Sequence, residues 1–453
     1  LFEETPMRDV VSWNGVIAAH AHHECGKQAI QLFQQMQLEC VVPNKVTLVS
    51  TIDACASEVM ISEGKRVHAR IMGCGFEGEV AENNAILNMY GKCGRVEHAR
   101  KMFDTMEKRD VISWSSLAAA YTQHGYGSEA IQLFDQMQIE GVLPNKVTYV
   151  SLLDACASQS ALAEGKVIHT HIHDGRAESD LVVGNALMNM YSKCHSLMTA
   201  RKIFDGMHRR DVVSWTTLIA GYVEYGHGEE ALKCFRHMND ARVRPNAVTY
   251  VCVLNACGIV GSLEIGKYID AEVRKQGLLW NNVLLGTALI DMYSKFGALE
   301  KAQEVCEKLL VQDVIPWNAL LTGYCEHGLG QEALNCFRSM HDKGIRPDVV
   351  TYVCILKASS IVRSIEVGED IDTQVRKQGL LQKNIVLGTA LLDMYSKCGK
   401  LDKAREVFEQ LPVRDVVSWN AMIAGYAQNG LGEEALRCFR QMQNEGVYPD
   451  VVS

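Results

Sequence analysis

The fold is decided by one 35-residue segment, Val416–Asp450, which reads VVSWNAMIAGYAQNGLGEEALRCFRQMQNEGVYPD. Its first half carries apolar residues at i, i+3, i+4 and i+7, which is one face of an α-helix: Trp419, Met422, Ile423 and Tyr426. The turn residues Gln428-Asn429-Gly430 end that helix. A second helix is predicted from the apolar stripe of Ala435, Leu436, Phe439 and Met442, and Gly446 and Pro449 stop it. The segment therefore predicts a pair of helices.

The same segment recurs along the whole chain of 453 residues. Five tryptophans mark the recurrence, at spacings of 101, 101, 102 and 102 residues: Trp13, Trp114, Trp215, Trp317 and Trp419. Each period holds a standard repeat of 35 residues, a long repeat of 35 or 36, and a short repeat of 31. One helical hairpin cannot bury its own apolar face, whereas stacked neighbours can. The sequence predicts an all-α superhelical solenoid of stacked helix-turn-helix repeats.

The repeats divide the chain as a single array. It starts with the end of a short repeat at 1–9 and continues with four triplets of standard, long and short repeats at 10–110, 111–211, 212–313 and 314–415. A standard repeat at 416–450 and the start of another repeat at 451–453 follow. Both ends fall inside a repeat, so we expect a fragment of a longer array.

Composition and charge limit the function classes. The chain is 47% hydrophobic and 22% charged, and no stretch approaches the roughly 18 apolar residues of a membrane helix, so no membrane partner is expected. The formal net charge of −9 argues against a protein that binds a phosphate backbone by charge alone. It does not argue against the recognition of bases by hydrogen bonds and stacking.

The cysteines and histidines predict no metal site and no cofactor. The sixteen cysteines contain no C-x-x-C spacing and recur with the repeats, as at Cys55, Cys156 and Cys257, which is typical of small packing residues. His169, His171 and His173 could place two imidazoles at i and i+4, but the other long repeats carry His68, Asp270 and Asp372 at the position of His169. We therefore expect these histidines to lie on a solvated helix face.

One edge of the first helix carries the candidate binding residues. We number each repeat from its first residue. Position 2 is aliphatic in all thirteen complete repeats, although it lies off the tryptophan stripe: Val11, Val46, Ala81, Ile112, Val147, Val182, Val213, Val248, Leu284, Ile315, Val350, Val386 and Val417. Packing between neighbouring repeats is one interpretation of this row. The other is a surface for base stacking, for which we predict Val11, Ile112, Val182, Val213, Leu284, Ile315, Val386 and Val417.

Position 5 lies one helical turn after position 2, on the same side of the helix. It is polar in every standard and short repeat: Asn14, Asn84, Ser115, Asn185, Thr216, Thr287, Asn318, Thr389 and Asn420. In the long repeats it is apolar: Val49, Val150, Val251 and Val353. The last residue of the same nine standard and short repeats is always Asn or Asp: Asn44, Asp110, Asn145, Asp211, Asn246, Asp313, Asp348, Asp415 and Asp450. We predict that these eighteen polar residues contact RNA.

The last position has two interpretations that can coexist. Asn and Asp favour turns and helix caps. They also suit base recognition, because an aliphatic surface beside short hydrogen-bonding groups is what a protein needs to read one base per repeat. Aspartate only accepts hydrogen bonds and suits the imino N–H of uracil or guanine. Asparagine also donates and suits adenine or cytosine.

The repeats resemble the pentatricopeptide repeats of plant organelles, in the subclass that alternates standard, long and short repeats. The resemblance covers the entire chain and includes NALMNMYSKCHSLMTARKIFDGM in a short repeat. It implies a right-handed superhelix that binds single-stranded RNA in a mitochondrion or chloroplast, with a role in RNA editing or processing. Organellar editing cofactors or other helical-repeat proteins are further candidate partners. The sequence begins at Leu1, so a targeting peptide is not expected in this fragment.

Two other functions were weighed. A tetratricopeptide-like scaffold that binds protein shares the Trp, Tyr, Ala and Phe register, but that family places glycine where Ile423 stands and has a period of about 34 residues. An enzyme is not expected, because the sequence shows no nucleophile–base set. Relatives in the subclass that the chain resembles often carry a C-terminal deaminase-like domain, which would lie beyond Ser453.

If the repeats run 5′ to 3′, as the resemblance implies, the nine pairs of position 5 and last residue spell a target. In the family, Ser or Thr at position 5 indicates a purine and Asn a pyrimidine. With n opposite each long repeat and Y for a pyrimidine, the target is 5′-YnUAnUAnGUnGU-3′. The two guanines correspond to Thr287 with Asp313 and to Thr389 with Asp415.

Overall fold

The computed structural model describes residues 8–23, 25–73, 79–175 and 180–450. In these ranges the chain forms 26 α-helices and no strand, which confirms the predicted all-α class. Of the two predicted partial repeats, residues 1–7 and 451–453 lie outside the described residues. The helices are α1 Val10–His22, α2 Gly26–Leu38, α3 Lys45–Ser57, α4 Ile61–Gly73, α5 Val80–Lys92, α6 Val96–Thr105, α7 Val111–Gln123, α8 Gly127–Ile139, α9 Lys146–Gln159, α10 Leu162–Asp174, α11 Leu181–Lys193, α12 Leu197–Gly206, α13 Val212–Glu224, α14 Gly228–Asp240, α15 Ala247–Val260, α16 Leu263–Lys275, α17 Val283–Lys295, α18 Leu299–Lys308, α19 Val314–Glu326, α20 Gly330–Asp342, α21 Val349–Val362, α22 Ile365–Lys377, α23 Ile385–Lys397, α24 Leu401–Gln410, α25 Val416–Gln428 and α26 Gly432–Asn444.

The odd-numbered helices begin at the first residue of each complete repeat. Before every one of these helices except α5, a short polar side chain satisfies free N–H groups of the first turn. Before α5 the residue is Glu79, whose side chain makes no capping hydrogen bond. Asn145, for example, accepts a hydrogen bond from the N–H of Thr148 at 2.9 Å, and the hydroxyl of Thr148 accepts from the N–H of Asn145 at 3.2 Å. This reciprocal pair is a capping box. The last residue of a repeat is thus also the N-cap of the next.

The predicted turn at Gln428-Asn429-Gly430 ends α25 as expected. Gly430 has a φ of 78°, a left-handed conformation that glycine adopts without strain. The N–H of Leu431 then donates to the carbonyl of Tyr426 at 3.0 Å, which satisfies a carbonyl of the last helical turn. The chain reverses there and enters α26.

The chain divides into two compact units, Leu1–Gly221 and Tyr222–Ser453. In the first unit, α1, α3, α5, α7, α9 and α11 pack side by side as one layer of first helices. Each second helix, from α2 to α10, packs against its own first helix and against the first helix of the next repeat. The second unit repeats this arrangement from α15 to α25. Each unit is therefore a helical-repeat solenoid.

The core lies between the first helices and the second helices. Trp13, Trp114 and Trp419 are among the largest fully buried side chains. Leu436, which we predicted on the apolar stripe of α26, is instead 60% exposed. The leucines at the same position in α14 and α20, Leu232 and Leu334, are buried, and both helices contact the first helix of a following repeat. No described helix follows α26, so nothing covers Leu436.

The cysteine thiols behave as packing groups. Burial raises the pKa of Cys55, Cys156 and Cys257 to about 12, so these thiols stay protonated at neutral pH. The cysteines in the described ranges are free rather than joined in disulfides. None of the helices described is both long enough and apolar enough to cross a membrane.

Candidate nucleic-acid interface

The aliphatic side chains at position 2 form an exposed row on the first helices. Their exposed fraction runs from 49% at Val213 and Ile315 to 69% at Val11. The exposed set is Val11, Val46, Ile112, Val147, Val182, Val213, Val248, Leu284, Ile315, Val350, Val386 and Val417. Side chains so exposed add little to packing between repeats, and they leave an apolar surface open to a ligand.

The structure brings position 5 and the last residue of the same repeat into contact. The Asn84 amide donates to Asp110 at 3.0 Å, although 26 residues separate them. Four further pairs are joined in the same way, at 2.8–3.2 Å: Asn14 with Asn44, Ser115 with Asn145, Asn318 with Asp348, and Asn420 with Asp450. Each contact is made because the second helix returns the chain to the start of the first helix. In each of these five repeats the two predicted residue types thus form one hydrogen-bonding site.

A third residue completes four of these sites, those of Asn14, Asn84, Ser115 and Asn318, and sequence reasoning missed it. It is the hydroxyl residue at position 3 of the following repeat. The hydroxyl of Ser113 donates to the Asn84 carbonyl oxygen at 2.6 Å, and the hydroxyl of Thr351 donates to that of Asn318 at 2.7 Å. Its signal was present in the sequence, since Ser or Thr three residues after Asn or Asp is the spacing of a capping box.

Three of the aspartates at the last position, Asp110, Asp211 and Asp348, have a lowered pKa. Burial alone would raise the pKa of Asp110, but hydrogen bonds from Ser113, Asn84 and the Ile112 N–H outweigh burial and lower it. The same balance lowers the pKa of Asp348, through Thr351 and Asn318, and of Asp211, where Ser214 and Asn185 donate. A carboxylate of lowered pKa is only an acceptor at neutral pH.

Two threonine pairs differ from the asparagine pairs. The Thr389 hydroxyl donates to the carbonyl of Ile385 at 2.9 Å, within its own helix. The Thr287 hydroxyl is buried and has no hydrogen-bond partner among the described residues. The pair of Thr216 and Asn246 is divided between the two compact units and stays a prediction.

The long repeats offer no such site. Val49, Val150, Val251 and Val353 at position 5 are only partly exposed. Glu79, the last residue of the first long repeat, makes no capping hydrogen bond. In the other three long repeats the last residue still caps the next helix, as Asp180 does by accepting from the Val182 N–H at 2.9 Å. It has no polar partner at position 5, so the long repeats lack half of the arrangement.

Two of the three histidines expected on a solvated helix face, His171 and His173, are exposed. His169 is half-buried instead, and its Nδ1 is 2.8 Å from the hydroxyl of Tyr191 in the next repeat. His68 contacts Tyr90 in the same way at 2.9 Å. Across the described ranges, no group of three His, Cys, Asp or Glu side chains could hold a metal ion.

Family models match the repeats directly. The model described as "PPR repeat family" matches residues 8–57, 109–158, 210–258, 312–360 and 414–453. The model described as "PPR repeat" matches residues 84–111, 185–212, 287–314 and 389–416. Together they cover more than half of the chain.

Curated relatives from Arabidopsis thaliana match over almost the full chain. The pentatricopeptide repeat-containing protein At4g18520, chloroplastic, is 34% identical over 99% of this chain and 73% of its own length. The pentatricopeptide repeat-containing protein At4g39530 is 34% identical over 100% of this chain, which spans 54% of that relative. At3g09040, mitochondrial, is 33% identical over 99% of this chain and 44% of its own length.

Solved structures show the same fold. The chain is similar to the maize pentatricopeptide repeat protein PPR10, with a TM-score of 0.54 and 18% identity over 98% of this chain and 75% of that one. The structure of PPR10 in complex with an 18-nt psaJ RNA element gives a TM-score of 0.58 and 19% identity, over 99% of this chain and 76% of that one. From its repeat models and its relatives, this chain belongs to the pentatricopeptide repeat family.

Proposed function

We propose that this chain binds single-stranded RNA in a sequence-specific manner, with about one base per repeat. The observation that carries the proposal is the hydrogen-bonded pair of position 5 and the last residue, set beside exposed aliphatic side chains. Position 2 of the same repeat lies one turn before position 5. Position 2 of the next repeat lies two residues after the cap, as Ile112 does after Asp110. A flat base beside the pair would meet an aliphatic surface on both faces.

The chemistry of the pair suits base edges rather than phosphates. The polar groups are neutral amides and hydroxyls or anionic carboxylates, and the net charge of the chain is −9. Electrostatic attraction to phosphate therefore contributes less here than in basic RNA-binding proteins. The RNA that accompanies PPR10 in its solved structure supports the same class of ligand for this chain.

We further propose the finer assignment that the sequence suggested. The alternation of standard, long and short repeats at 10–110, 111–211, 212–313 and 314–415 supports assigning the chain to the subclass that carries this alternation. The role is that of a specificity factor for RNA editing or processing in a chloroplast or mitochondrion, with organellar editing cofactors or other helical-repeat proteins as further partners. Relatives named chloroplastic and mitochondrial support that location.

Competition binding tests the ligand class. The chain is incubated with labelled RNA of sequence 5′-YnUAnUAnGUnGU-3′ and challenged with unlabelled single-stranded RNA, duplex RNA or single-stranded DNA. We expect single-stranded RNA of that sequence to compete best. Unsaturable binding to all three competitors would overturn the proposal and favour a protein-binding scaffold.

A single substitution tests the reading of bases. Thr287→Asn converts the pair of Thr287 and Asp313 into the pair present at Asn318 and Asp348. We expect the preference at that nucleotide to change from G to U, with a change in discrimination of about 1–3 kcal/mol, the usual scale of a well-placed base contact. The salt dependence of binding should stay the same, because no phosphate contact changes. An unchanged ratio of G to U affinity would mean that Thr287 does not contact a base.

A further inference from the structure

The first long repeat, residues 45–79, is associated with three charged side chains that the other long repeats lack in whole or in part. Its first residue is Lys45, its last residue is Glu79, and position 3 of the following repeat is Glu82. The same three positions are Lys146, Asp180 and Val183 for the second long repeat, Ala247, Asn282 and Leu285 for the third, and Val349, Asn384 and Leu387 for the fourth. The charged set is complete in the first long repeat only.

The three charged side chains meet at one place. Nζ of Lys45 forms an ion pair with Glu79 and lies 2.5 Å from Oε1 of Glu82. In the site of Asn84, the side-chain amide at position 5 likewise contacts the last residue of its repeat and position 3 of the following repeat. The ammonium of Lys45 therefore takes the place that the position-5 side chain has in the standard and short repeats.

The carboxylate of Glu82 is costly to the fold. Glu82 is 1% exposed, and neither of its oxygens has a hydrogen-bond partner among the described residues. Burying an ionised carboxylate is unfavourable, and the ion pair with Lys45 offsets part of that cost. The other three long repeats are followed by buried aliphatic side chains at this position, so the fold does not need a carboxylate there. Its effect is to hold the ammonium of Lys45 beside Glu79.

Glu79 does not act as a helix cap. It precedes α5 and makes no capping hydrogen bond, whereas Asp180 caps α11 by accepting from the Val182 N–H at 2.9 Å. Glutamate is not among the residues that N-cap positions favour. The Glu79 side chain is 68% exposed and pairs with Lys45 instead of the helix N–H groups. Its carboxylate is therefore accessible to donors on a ligand.

We propose that the first long repeat binds guanine, at the second nucleotide of the target, through Lys45 and Glu79. This inference rests on the proposed function. An ammonium has three N–H groups, so two carboxylates leave one that can donate to O6 of guanine, an oxygen that lysine commonly binds. The Glu79 carboxylate accepts from the imino N–H and the amino group on the same edge of the base. Glu82 is a positioning residue, because it acts through Lys45.

The chemistry of the base edges favours guanine over the other bases. Uracil has an oxygen and an imino N–H but no amino group, adenine has no oxygen on this edge, and cytosine has no N–H next to its oxygen. The aliphatic row supports a purine at this place. Position 2 of the following repeat is Ala81, the smallest of the thirteen side chains in that row, so the space between it and Val46 is wider than between two valines.

The test measures the affinity of the chain for RNAs that carry each of the four bases at the second nucleotide of the target. The native chain should prefer guanine at least about fivefold over each other base, the lower end of the scale for a well-placed base contact. The eighth and eleventh nucleotides lie opposite the long repeats 247–282 and 349–384, which lack the charged set. There the four bases should bind about equally.

Two variants test the residues. The triple variant Lys45→Val, Glu79→Asn and Glu82→Leu installs the set found at the fourth long repeat, so no buried charge is left unpaired. It should abolish guanine preference at the second nucleotide and leave base preference at the third nucleotide unchanged. Glu79→Gln keeps the ion pair of Lys45 and Glu82 and should lower guanine preference without abolishing it. If the triple variant does not fold by circular dichroism, Glu79→Gln decides the question, since that exposed side chain caps no helix.

The outcomes separate this inference from the function on which it rests. If the chain reads the bases opposite its standard and short repeats but binds all four bases equally at the second nucleotide, the inference is wrong and the proposed function stands. If the triple variant weakens binding of all four bases in parallel and lowers the salt dependence, Lys45 binds a phosphate and the inference is again wrong. If no nucleotide shows a base preference in the native chain, both the inference and the reading of bases fail.

Discussion

Two junctions between a short repeat and the following standard repeat show how the same backbone is held by different side chains. Around Trp114, the ring of Phe103 packs edge-on at 4.7 Å between centroids. Arg109 lies over Phe103 at 4.7 Å and donates to the carbonyl of Phe103 at 3.0 Å. Around Trp317, Cys306 replaces the phenylalanine and Gln312 replaces the arginine. There Lys343 lies over Trp317 at 5.1 Å and donates to the carbonyl of Glu307 at 2.9 Å.

Both junctions therefore have a cation at the end of the short-repeat helix, although different residues supply it. In both junctions a cation binds a carbonyl at the C-terminal end of a short-repeat helix and covers an aromatic ring, two favourable sites for positive charge. At the first junction, Arg109 comes from the short repeat and pairs with Glu140 at 3.1 Å. At the other, the cation stands at the position of Glu140 itself, since Lys343 occupies the same register.

The same two triplets differ in the partner of a buried tyrosine. The Tyr90 hydroxyl is 2.9 Å from His68, whereas the Tyr293 hydroxyl donates to Asp270 at 2.7 Å. Asp270 in turn accepts from Arg274 at 2.6 Å. A contact with an imidazole in the first compact unit is thus replaced by a network of a carboxylate and a guanidinium in the second.

The largest expected effect comes from removing the tryptophans. Trp114→Ala should destabilise its repeat by about 3–5 kcal/mol, because it opens a cavity in a fully buried site. Trp317→Ala should have a smaller effect, because no phenylalanine packs edge-on against Trp317. Trp215→Ala should resemble Trp114→Ala, since Phe204 packs on Trp215 at 4.6 Å. Hydrogen exchange of the flanking helices measures the local loss of stability. Equal losses for Trp114→Ala and Trp317→Ala would contradict this expectation.

The tyrosine partners should give the next largest effect. Asp270→Ala leaves the Tyr293 hydroxyl and the Arg274 cation without their shared acceptor, and should cost about 1–3 kcal/mol. His68→Ala should cost less, because it removes no carboxylate and leaves no arginine without an acceptor. Adding Tyr293→Phe to Asp270→Ala should recover part of the loss, since no hydroxyl is then left unpaired. Urea unfolding of His68→Ala, Asp270→Ala, Tyr293→Phe and the double variant measures this, and purely additive losses in the double variant would contradict the proposed coupling.

Tyr293 and Tyr90 should also differ in their effect on stability at alkaline pH. Burial raises the pKa of Tyr293 above its ordinary 10.0, and the hydrogen bond to Asp270 and the charge of Asp270 raise it further. Burial alone raises the pKa of Tyr90. A tyrosine whose pKa is raised in the folded state contributes stability that is fully present below pH about 10. This contribution is lost as the pH rises through the pKa that the tyrosine has in the folded state. Tyr293→Phe should therefore reduce the alkaline loss of stability more than Tyr90→Phe does.

Urea midpoints between neutral and strongly alkaline pH test this ordering. Phenolate absorbance provides an independent readout. The absorbance change that Tyr293→Phe removes should be one that occurs at the highest pH, where the last tyrosines ionise. If the two variants lose stability with the same alkaline slope, the carboxylate partner has no effect on Tyr293.

The sequence alone predicted the helices that recur in each repeat, but it did not predict the side-chain contacts between neighbouring repeats. The spacing of Trp13, Trp114 and Trp215 was sufficient to predict the helix pairs, because a residue that recurs at the same position of each repeat shows which face of its own helix is buried. Position 5 and the last residue were also found this way. The hydroxyl of Ser113 was missed because its partner, Asn84, belongs to the preceding repeat.

The partner of His169 was missed for the same reason. His169 contacts Tyr191 in the next repeat, and patterns inside one repeat do not show which side chains meet across an interface. Leu436 fits a helical apolar stripe, yet a stripe is buried only where another helix covers it. Packing between repeats depends on geometry that periodicity does not contain.

The smallest expected effect exchanges the cation between the two positions of the first junction. Arg109→Gln should cost about 0.5–1 kcal/mol, because it removes one cation–π contact and one partly exposed ion pair. It also leaves Glu140 without its partner. Adding Glu140→Lys places a cation at the register of Lys343, and we expect this second change to restore much of the loss.

A double-mutant cycle measures the exchange. The loss in the double variant should be smaller than the sum of the losses in Arg109→Gln and Glu140→Lys, because the new lysine reaches the carbonyl that Arg109 vacated. The recovery should persist at high salt, since the cation would then bind a carbonyl and a ring rather than an exposed carboxylate. Additive losses would mean that the junction around Trp317 depends on Cys306 to admit Lys343. The triple variant with Phe103→Cys should then show the recovery that the double variant lacks.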